Sequence, residues 1–227
     1  NLFESLIARP LAEKMRPTSL ELLVGQEHLL AHDAPLGRML RERRASSMIL
    51  WGPPGSGKTT LAKIIAEHVN MNFEPLSAVF SGVSDLRKVF DKAVERKKVG
   101  EETLLFVDEI HRFNRAQQDS FLPFVEDGTV ILVGATTENP SFELNSALLS
   151  RCKVFILQKI AKAGLENLVK RAEEFEGKKL PLEERARDAL LSMADGDGRF
   201  LLNMIEELFH FPSSPKLTTE DLSQAVQ

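Results

Sequence analysis

The chain has 227 residues, 43% of them apolar and 27% charged, with a formal net charge of −4 and one cysteine. That length and apolar content suffice for a buried core in one large domain or two smaller ones, while the mild acidity gives no global drive toward nucleic acid. A lone cysteine excludes an internal disulfide, and the absence of an 18-residue apolar run or a signal-peptide pattern leads us to expect no membrane span and a reducing, cytoplasmic setting.

The chain opens at Asn1 without a methionine, as a piece trimmed from a longer protein would. Residues 1–20, with Pro10 and Pro17, read as an arm feeding into the fold. From Leu20 to Arg44 the pattern is helical, broken near His32–Pro35. Five short apolar runs come next, at 48–51 (MILW), 73–76 (FEPL), 104–107 (LLFV), 130–135 (VILVGA) and 154–157 (VFIL). Runs of this length bounded by turn residues suit strands buried on both faces. Helical patterns lie between them, at 58–69, 84–98 and 115–127. Strand alternating with helix implies an α/β fold with a doubly wound parallel sheet. Beyond about Gln158 the strand signals stop. Amphipathic helices are expected near 163–177, 182–196 and 199–211. A last one is expected near 218–226, capped by Thr218 or Thr219 with Glu220 and Asp221 in its first turn. The expected division is therefore a sheet domain, 1–157, and a small helical domain, 158–227.

Two motifs carry chemistry. Residues 52–60 (GPPGSGKTT) match G-x-x-x-x-G-K-[ST], preceded by an expected strand and opening an expected helix. Gly52, Gly55 and Gly57 let the backbone turn so that its amides face phosphate oxygens, and the helix N-terminus adds a field favourable to anions. Pro53, Pro54, Ser56 and Thr60 complete the loop. Lys58 can reach the β- and γ-phosphates of ATP, and the Thr59 hydroxyl can ligate Mg²⁺. The second motif is the strand 104–107 ending in two carboxylates. Asp108 is the expected Mg²⁺ partner, and Glu109 the group that orients and polarises the attacking water. A water-activating carboxylate argues for hydrolysis rather than phosphoryl transfer to a small molecule.

Three stretches, GPPGSGKTT (52–60), LLFVDEIHRFNRAQQDSFLPFVEDG (104–128) and GATTENPSFELNSALLSRC (134–152), resemble the AAA+ ATPases of the RarA/MgsA family, which includes the Werner-helicase-interacting proteins. Residues 10–30 resemble the start of that family's ATPase domain, and clamp-loader subunits and RuvB are wider relatives. The resemblance implies a five-stranded P-loop sheet domain followed by a helical lid, with ATP between them. It implies that Leu23, Val24 and Gly25 line the adenine pocket. It implies that Thr137 acts near the γ-phosphate and the catalytic water, and that Arg199 reaches the γ-phosphate from the lid. It also implies that Arg151 is an arginine finger, acting in trans on the ATP of a neighbouring subunit. The partners implied are forked or single-stranded DNA, single-stranded DNA-binding protein and further copies of the chain in a homo-oligomer. The setting implied is the cytoplasm, at the nucleoid. The work implied is DNA-stimulated ATP hydrolysis at stalled replication forks or recombination intermediates. The family's long C-terminal oligomerisation region has no counterpart before Gln227.

Two other readings stand beside this one. The S-R-C tripeptide (150–152) is shared with clamp loaders, so a clamp-loader-like subunit is the first. The second is a nucleotide-switched binding module that hydrolyses slowly, against which Glu109 argues. Other signals are weaker. His28 and His32 have a metal-compatible spacing but no third ligand. His111 comes two residues after Glu109 without forming an H-E-x-x-H pattern. The basic clusters 41–44 and 95–98 are interrupted by acids. Phe121 and Phe124 are spaced as a core-facing helix stripe.

Overall fold

The computed structural model describes residues 9–226. Their contacts divide into two compact units, one made of Thr18–Pro53 and Gly57–Gln158, the other of Pro54–Ser56, Lys159 onward and the described residues up to Pro17. The first element of the chain, a short helix α1 (Leu11–Lys14), belongs to the second unit.

In the first unit, a 3-10 turn (Leu20–Leu22), α2 (Glu27–Leu30) and α3 (Pro35–Arg41) precede β1 (Met48–Trp51). The helical pattern expected across 20–44 is therefore realised only in part. Leu23 takes extended angles and Gly25 lies at φ 86°, which no helix accommodates. Next come α4 (Lys58–His68), β2 (Asn72–Ser77), α5 (Val83–Lys98), β3 (Thr103–Asp108), α6 (Arg115–Asp119), α7 (Leu122–Glu126), β4 (Ile131–Thr136), α8 (Pro140–Glu143), α9 (Ser146–Leu149) and β5 (Lys153–Ile156). The single helix expected over 115–127 is two short ones. Asn114 caps the first by accepting from Gln117 N–H, and Pro123 sits in the first turn of the second.

The five described strands are all parallel, in the order β2-β3-β4-β1-β5. Each apolar run of the sequence lies within one or two residues of a strand. Met48, Ile49, Leu50, Leu104, Leu105, Val107, Leu132 and Val133 are all fully buried. Two apolar clusters cover the sheet. One gathers Leu36, Leu61 and Ile65 with Leu50, Leu104 and Val133. The other gathers Phe90, Ile110, Phe113 and Phe121 with Ile49, Leu105 and Leu132. In the second, Phe124 stacks on Phe90 at 4.1 Å between centroids and Phe121 meets it edge-on at 5.5 Å, so both belong to the core stripe expected of them. Gly134 on β4 is squeezed between layers: a Cβ there would lie 2.9 Å from Ile110 Cδ1 and 2.9 Å from Ile49 Cδ1.

The second unit contains α10 (Lys162–Glu176), α11 (Glu184–Ala194), α12 (Gly198–Leu208) and α13 (Thr219–Ala225). Thr218, rather than Thr219, caps α13, in a capping box with Asp221. The buried side chains include Leu165, Val169, Leu190, Leu201, Ile205 and Leu208. Leu11 of α1 is 1% exposed and α1 packs on α12. An apolar side chain this far up the sequence finds its cover on a C-terminal helix, so this part of the arm groups with the helices rather than with the sheet. The guanidinium of Arg187 on α11 joins two carboxylates of α10, donating to Glu166 Oε1 at 2.8 Å and Glu173 Oε1 at 2.8 Å.

Candidate functional site

The first functional element is the turn between β1 and α4. Gly57, the residue before α4, lies at φ 96°, and Gly55 at φ 65°, both in the region open to glycine. The phosphate-loop spacing needs these two conformations. Gly52 has a different reason to be glycine: a Cβ there would lie 2.6 Å from Leu157 O. Packing against the chain leaving β5, rather than a left-handed turn, excludes a side chain at 52. Lys58 is 7% exposed and its Nζ donates to Gly52 O at 2.7 Å and Pro53 O at 2.8 Å. The ammonium is thus held against the loop's own carbonyls, within the span where a phosphate would be bound. Ser56 and Thr60 are buried and Thr59 is half-buried on the first turn of α4. At the loop tip, Gly198 N–H of α12 donates to Gly55 O at 3.2 Å, and a Cβ on Gly55 would collide with the Asp197 carboxylate at 1.7 Å. Both contacts lie within the second unit.

The second element is the end of β3. Asp108 closes the strand, with Ser77 as its register partner on β2. Glu109 leaves it at φ 52°, ψ 45°, ahead of a 3-10 turn, Ile110–Arg112. This reversal brings His111 back beside Glu109, with His111 Nε2 3.3 Å from Glu109 Oε2. The same carboxylate oxygen accepts from Thr137 Oγ1 at 3.4 Å. On its other side, His111 Nδ1 lies 2.8 Å from Thr136 Oγ1, and that hydroxyl oxygen accepts from Glu138 N–H at 3.0 Å.

The two elements share one edge of the sheet. β4 lies between β3 and β1, and Gly52 N–H donates to Thr136 O at 3.1 Å. The phosphate loop therefore starts one hydrogen bond away from Thr136 and Thr137. Adjacent strands stand about 4.8 Å apart, so the ends of β3 and β1 are separated by roughly 10 Å. A carboxylate on β3 and a hydroxyl on α4 can both serve a cation bound between them.

Asp108 and Thr59 offer hard oxygen donors, the kind Mg²⁺ takes, and Mg²⁺ characteristically keeps one or two protein ligands plus waters and phosphates. No cluster of three or more His, Cys, Asp or Glu suited to a metal occurs among the described residues. His28 is engaged with Ile156 O at 3.0 Å and His32 with Asp33 at 3.2 Å.

Leu23 is buried, and its Cδ1 would touch a Cβ placed on Gly57 at 3.3 Å; Val24 and Gly25 are half-buried beside it. Gln26, absent from the expected site, is fully buried. Its side-chain amide donates to Gln158 O at 2.8 Å and accepts from Gln158 N–H at 3.1 Å, as a strand partner would. Arg199 is exposed on the first turn of α12, in the helical unit. Arg151 lies just beyond α9 and is exposed. Nη1 donates to Ala147 O at 2.7 Å and Nη2 pairs with Glu126 Oε1 at 2.5 Å, so its charge is held by the same molecule. Beside it, burial pushes the Cys152 thiol up to about 12, which leaves it unreactive at neutral pH.

Two residues at the site, His111 and Thr136, are not among those the sequence points to. The sequence marks His111 only as a histidine near Glu109 that completes no metal-binding H-E-x-x-H pattern. The signal that could find it is a histidine two residues beyond a catalytic carboxylate, but its use depends on a left-handed glutamate that no pattern announces.

Residues 48–160 match the model of the ATPase family associated with various cellular activities (AAA). Among curated proteins, the chain is 50% identical over 202 residues to Replication-associated recombination protein A of Haemophilus influenzae, covering 87% of this chain and 45% of that protein. It is 53% identical over 207 residues to the protein of the same name from Coxiella burnetii, covering 89% and 47%. It is 50% identical over 201 residues to ATPase WRNIP1 of Dictyostelium discoideum, covering 87% and 23%. The chain thus spans less than half the length of these relatives. Among solved structures, the Thermotoga maritima RuvB Holliday junction branch migration motor superposes with a TM-score of 0.73 at 26% identity, covering 93% of this chain and 72% of that one.

Proposed function

The chain belongs to the AAA ATPase family, among relatives named Replication-associated recombination protein A, and from that premise we propose that it hydrolyses Mg-ATP to act on DNA at stalled replication forks or recombination intermediates. The observation that carries the chemistry is the shared sheet edge: the Lys58 loop and the Glu109–Thr137 pair are linked through the Gly52–Thr136 hydrogen bond. The DNA destination rests on the relatives' names and on the sequence resemblance.

In this reading the loop amides and Lys58 hold the β- and γ-phosphates, with Lys58 exchanging its carbonyl partners for phosphate oxygens. Leu23, Val24 and Gly25 take the adenine. Mg²⁺ neutralises phosphate charge when bound, held by Thr59 and Asp108. Glu109 accepts a proton from the attacking water, and Thr137 fixes the carboxylate's approach. Arg199 is assigned to the γ-phosphate by resemblance alone. Arg151 serves the site of a neighbouring copy, which requires it to leave Glu126. An exposed ion pair is worth only about 0–1 kcal/mol, so that exchange is inexpensive. Single-stranded DNA-binding protein as a partner, a nucleoid-associated cytoplasmic location, residues 1–157 as the nucleotide-binding domain and 158–227 as its lid belong to the same proposal.

The test is ATP turnover by the full-length protein against its own concentration, with and without forked or single-stranded DNA. A rate per subunit that rises with concentration and again with DNA is the expected result. A rate flat in concentration rejects a shared site, and no response to DNA rejects the destination.

A further inference from the structure

A chain of polar contacts leads from Glu138 to Glu109. Glu138 N–H donates to Thr136 Oγ1 at 3.0 Å. The Thr136 hydroxyl has one proton and two possible acceptors, His111 Nδ1 at 2.8 Å and Glu138 O at 3.3 Å; the shorter contact favours the imidazole. A His111 that accepts at Nδ1 carries its proton on Nε2, and Nε2 lies within ion-pair distance of Glu109 Oε2, at 3.3 Å, the oxygen that also accepts from Thr137 Oγ1. The His111 side chain is 8% exposed while that of Glu109 is 29% exposed, so the imidazole is fixed inside the protein and the carboxylate faces outward. The geometry points to His111 as a positioning residue for Glu109: we propose that its Nε2–H holds one carboxylate oxygen so that the other is presented to water, with Thr136 setting the tautomer.

Two alternatives are weaker physically. A metal role for His111 is excluded by its contacts, because both ring nitrogens already face oxygen partners. A purely packing role does not explain why the ring meets a hydroxyl on one nitrogen and a carboxylate on the other. A base oriented by a third group is the arrangement that activated nucleophiles require.

The inference rests on the reading of Glu109 as the water-orienting base, and the experiment separates the two. ATP turnover is measured for full-length wild-type, Glu109→Gln, His111→Ala, His111→Gln, His111→Asn and the double variant Glu109→Gln/His111→Ala. His111→Ala should lower kcat by about 10- to 100-fold, a share of the 10²–10⁴ that a positioned base contributes, with KM for ATP within about twofold of wild type. A glutamine amide reaches the place of Nε2, and an asparagine amide that of Nδ1. His111→Gln should therefore recover most of the rate and His111→Asn should not. In the Glu109→Gln background, His111→Ala should cost nothing further, since residues acting as a unit are not additive. The proposal is overturned if His111→Ala keeps wild-type kcat, if Asn rescues as well as Gln, or if the double variant is additive. Should the alanine variant fail to fold, the Gln and Asn pair alone decides. A Glu109→Gln protein as active as wild type would instead reject the underlying reading of Glu109.

Discussion

Glu109 occupies a left-handed backbone conformation, an arrangement that costs a residue with a Cβ about 1–2 kcal/mol. That strain turns the chain sharply at the end of β3 and keeps the carboxylate at the sheet edge while Ile110 is driven fully into the core. Arg151 is the complementary case, a charge parked on its own molecule. Arg151→Ala is expected to bind ATP normally and to lose about 10³-fold in turnover, the scale of an in-trans arginine. Mixing it with Glu109→Gln protein should restore part of the activity, because each variant supplies what the other lacks; turnover of the mixture against each protein alone reads this directly. Glu126→Gln removes the carboxylate that holds Arg151. Freeing an exposed pair worth up to about 1 kcal/mol should raise turnover by no more than about fivefold. A fall would mean that Glu126 aims the arginine rather than detains it.

Among the elements, the α10–α11 contact carries a buried carboxylate whose charge ties it to pH. Burial of Glu173 alone favours its neutral form. Hydrogen bonds from Arg187, the Leu180 amide and Lys179 outweigh that effect and hold its carboxyl below the usual glutamate value. A depressed folded-state pKa gives stability that is complete above the unfolded value of about 4.3 and is lost as pH falls through the lower folded value. Unfolding of the helical unit should therefore set in below about pH 4. Arg187→Met leaves Glu173 buried without its main partner and should cost about 3 kcal/mol at neutral pH, measured by denaturant titration. The elements differ in how clearly the sequence announces them. The inner strands β3, β4 and β1 are legible because a parallel sheet covered on both faces needs uninterrupted apolar residues. The edge strands are less enclosed than their apolar runs suggest, with Val154 and Ile156 of β5 exposed and Glu74 and Pro75 interrupting β2. The stretch 115–127 reads as one continuous helix because its apolar spacing persists through the break at Ser120–Phe121. The first of its two short helices is set by local capping around Asn114, a weaker signal than periodicity.

At the scale of the whole molecule, the phosphate loop and the Asp108–Glu109 pair are visible in the sequence because phosphate and cation chemistry dictates residue type at fixed spacing. The contacts that bring remote residues together are not. Leu11 buries against a helix nearly two hundred positions later, and Gly52 is glycine because Leu157 passes over it. Such constraints belong to the assembled core and leave no periodic trace. Gly134 is another of them. Its missing side chain leaves room for Ile110, the residue next to Glu109, the proposed water-orienting group. Gly134→Ala meets the Cδ1 ends of two isoleucines and the Cγ2 branch of Ile110 at 3.1 Å, side-chain atoms rather than backbone, so the fold should survive with a loss of about 1–3 kcal/mol. The strain would be passed along Ile110 to Glu109, far from any bound phosphate. Thermal melting and turnover at two temperatures should find a protein that still binds ATP when warm but uses it well only when cool. A lone methyl in the interior would then behave as a conditional allele of the reaction, with no change at any residue that touches ATP.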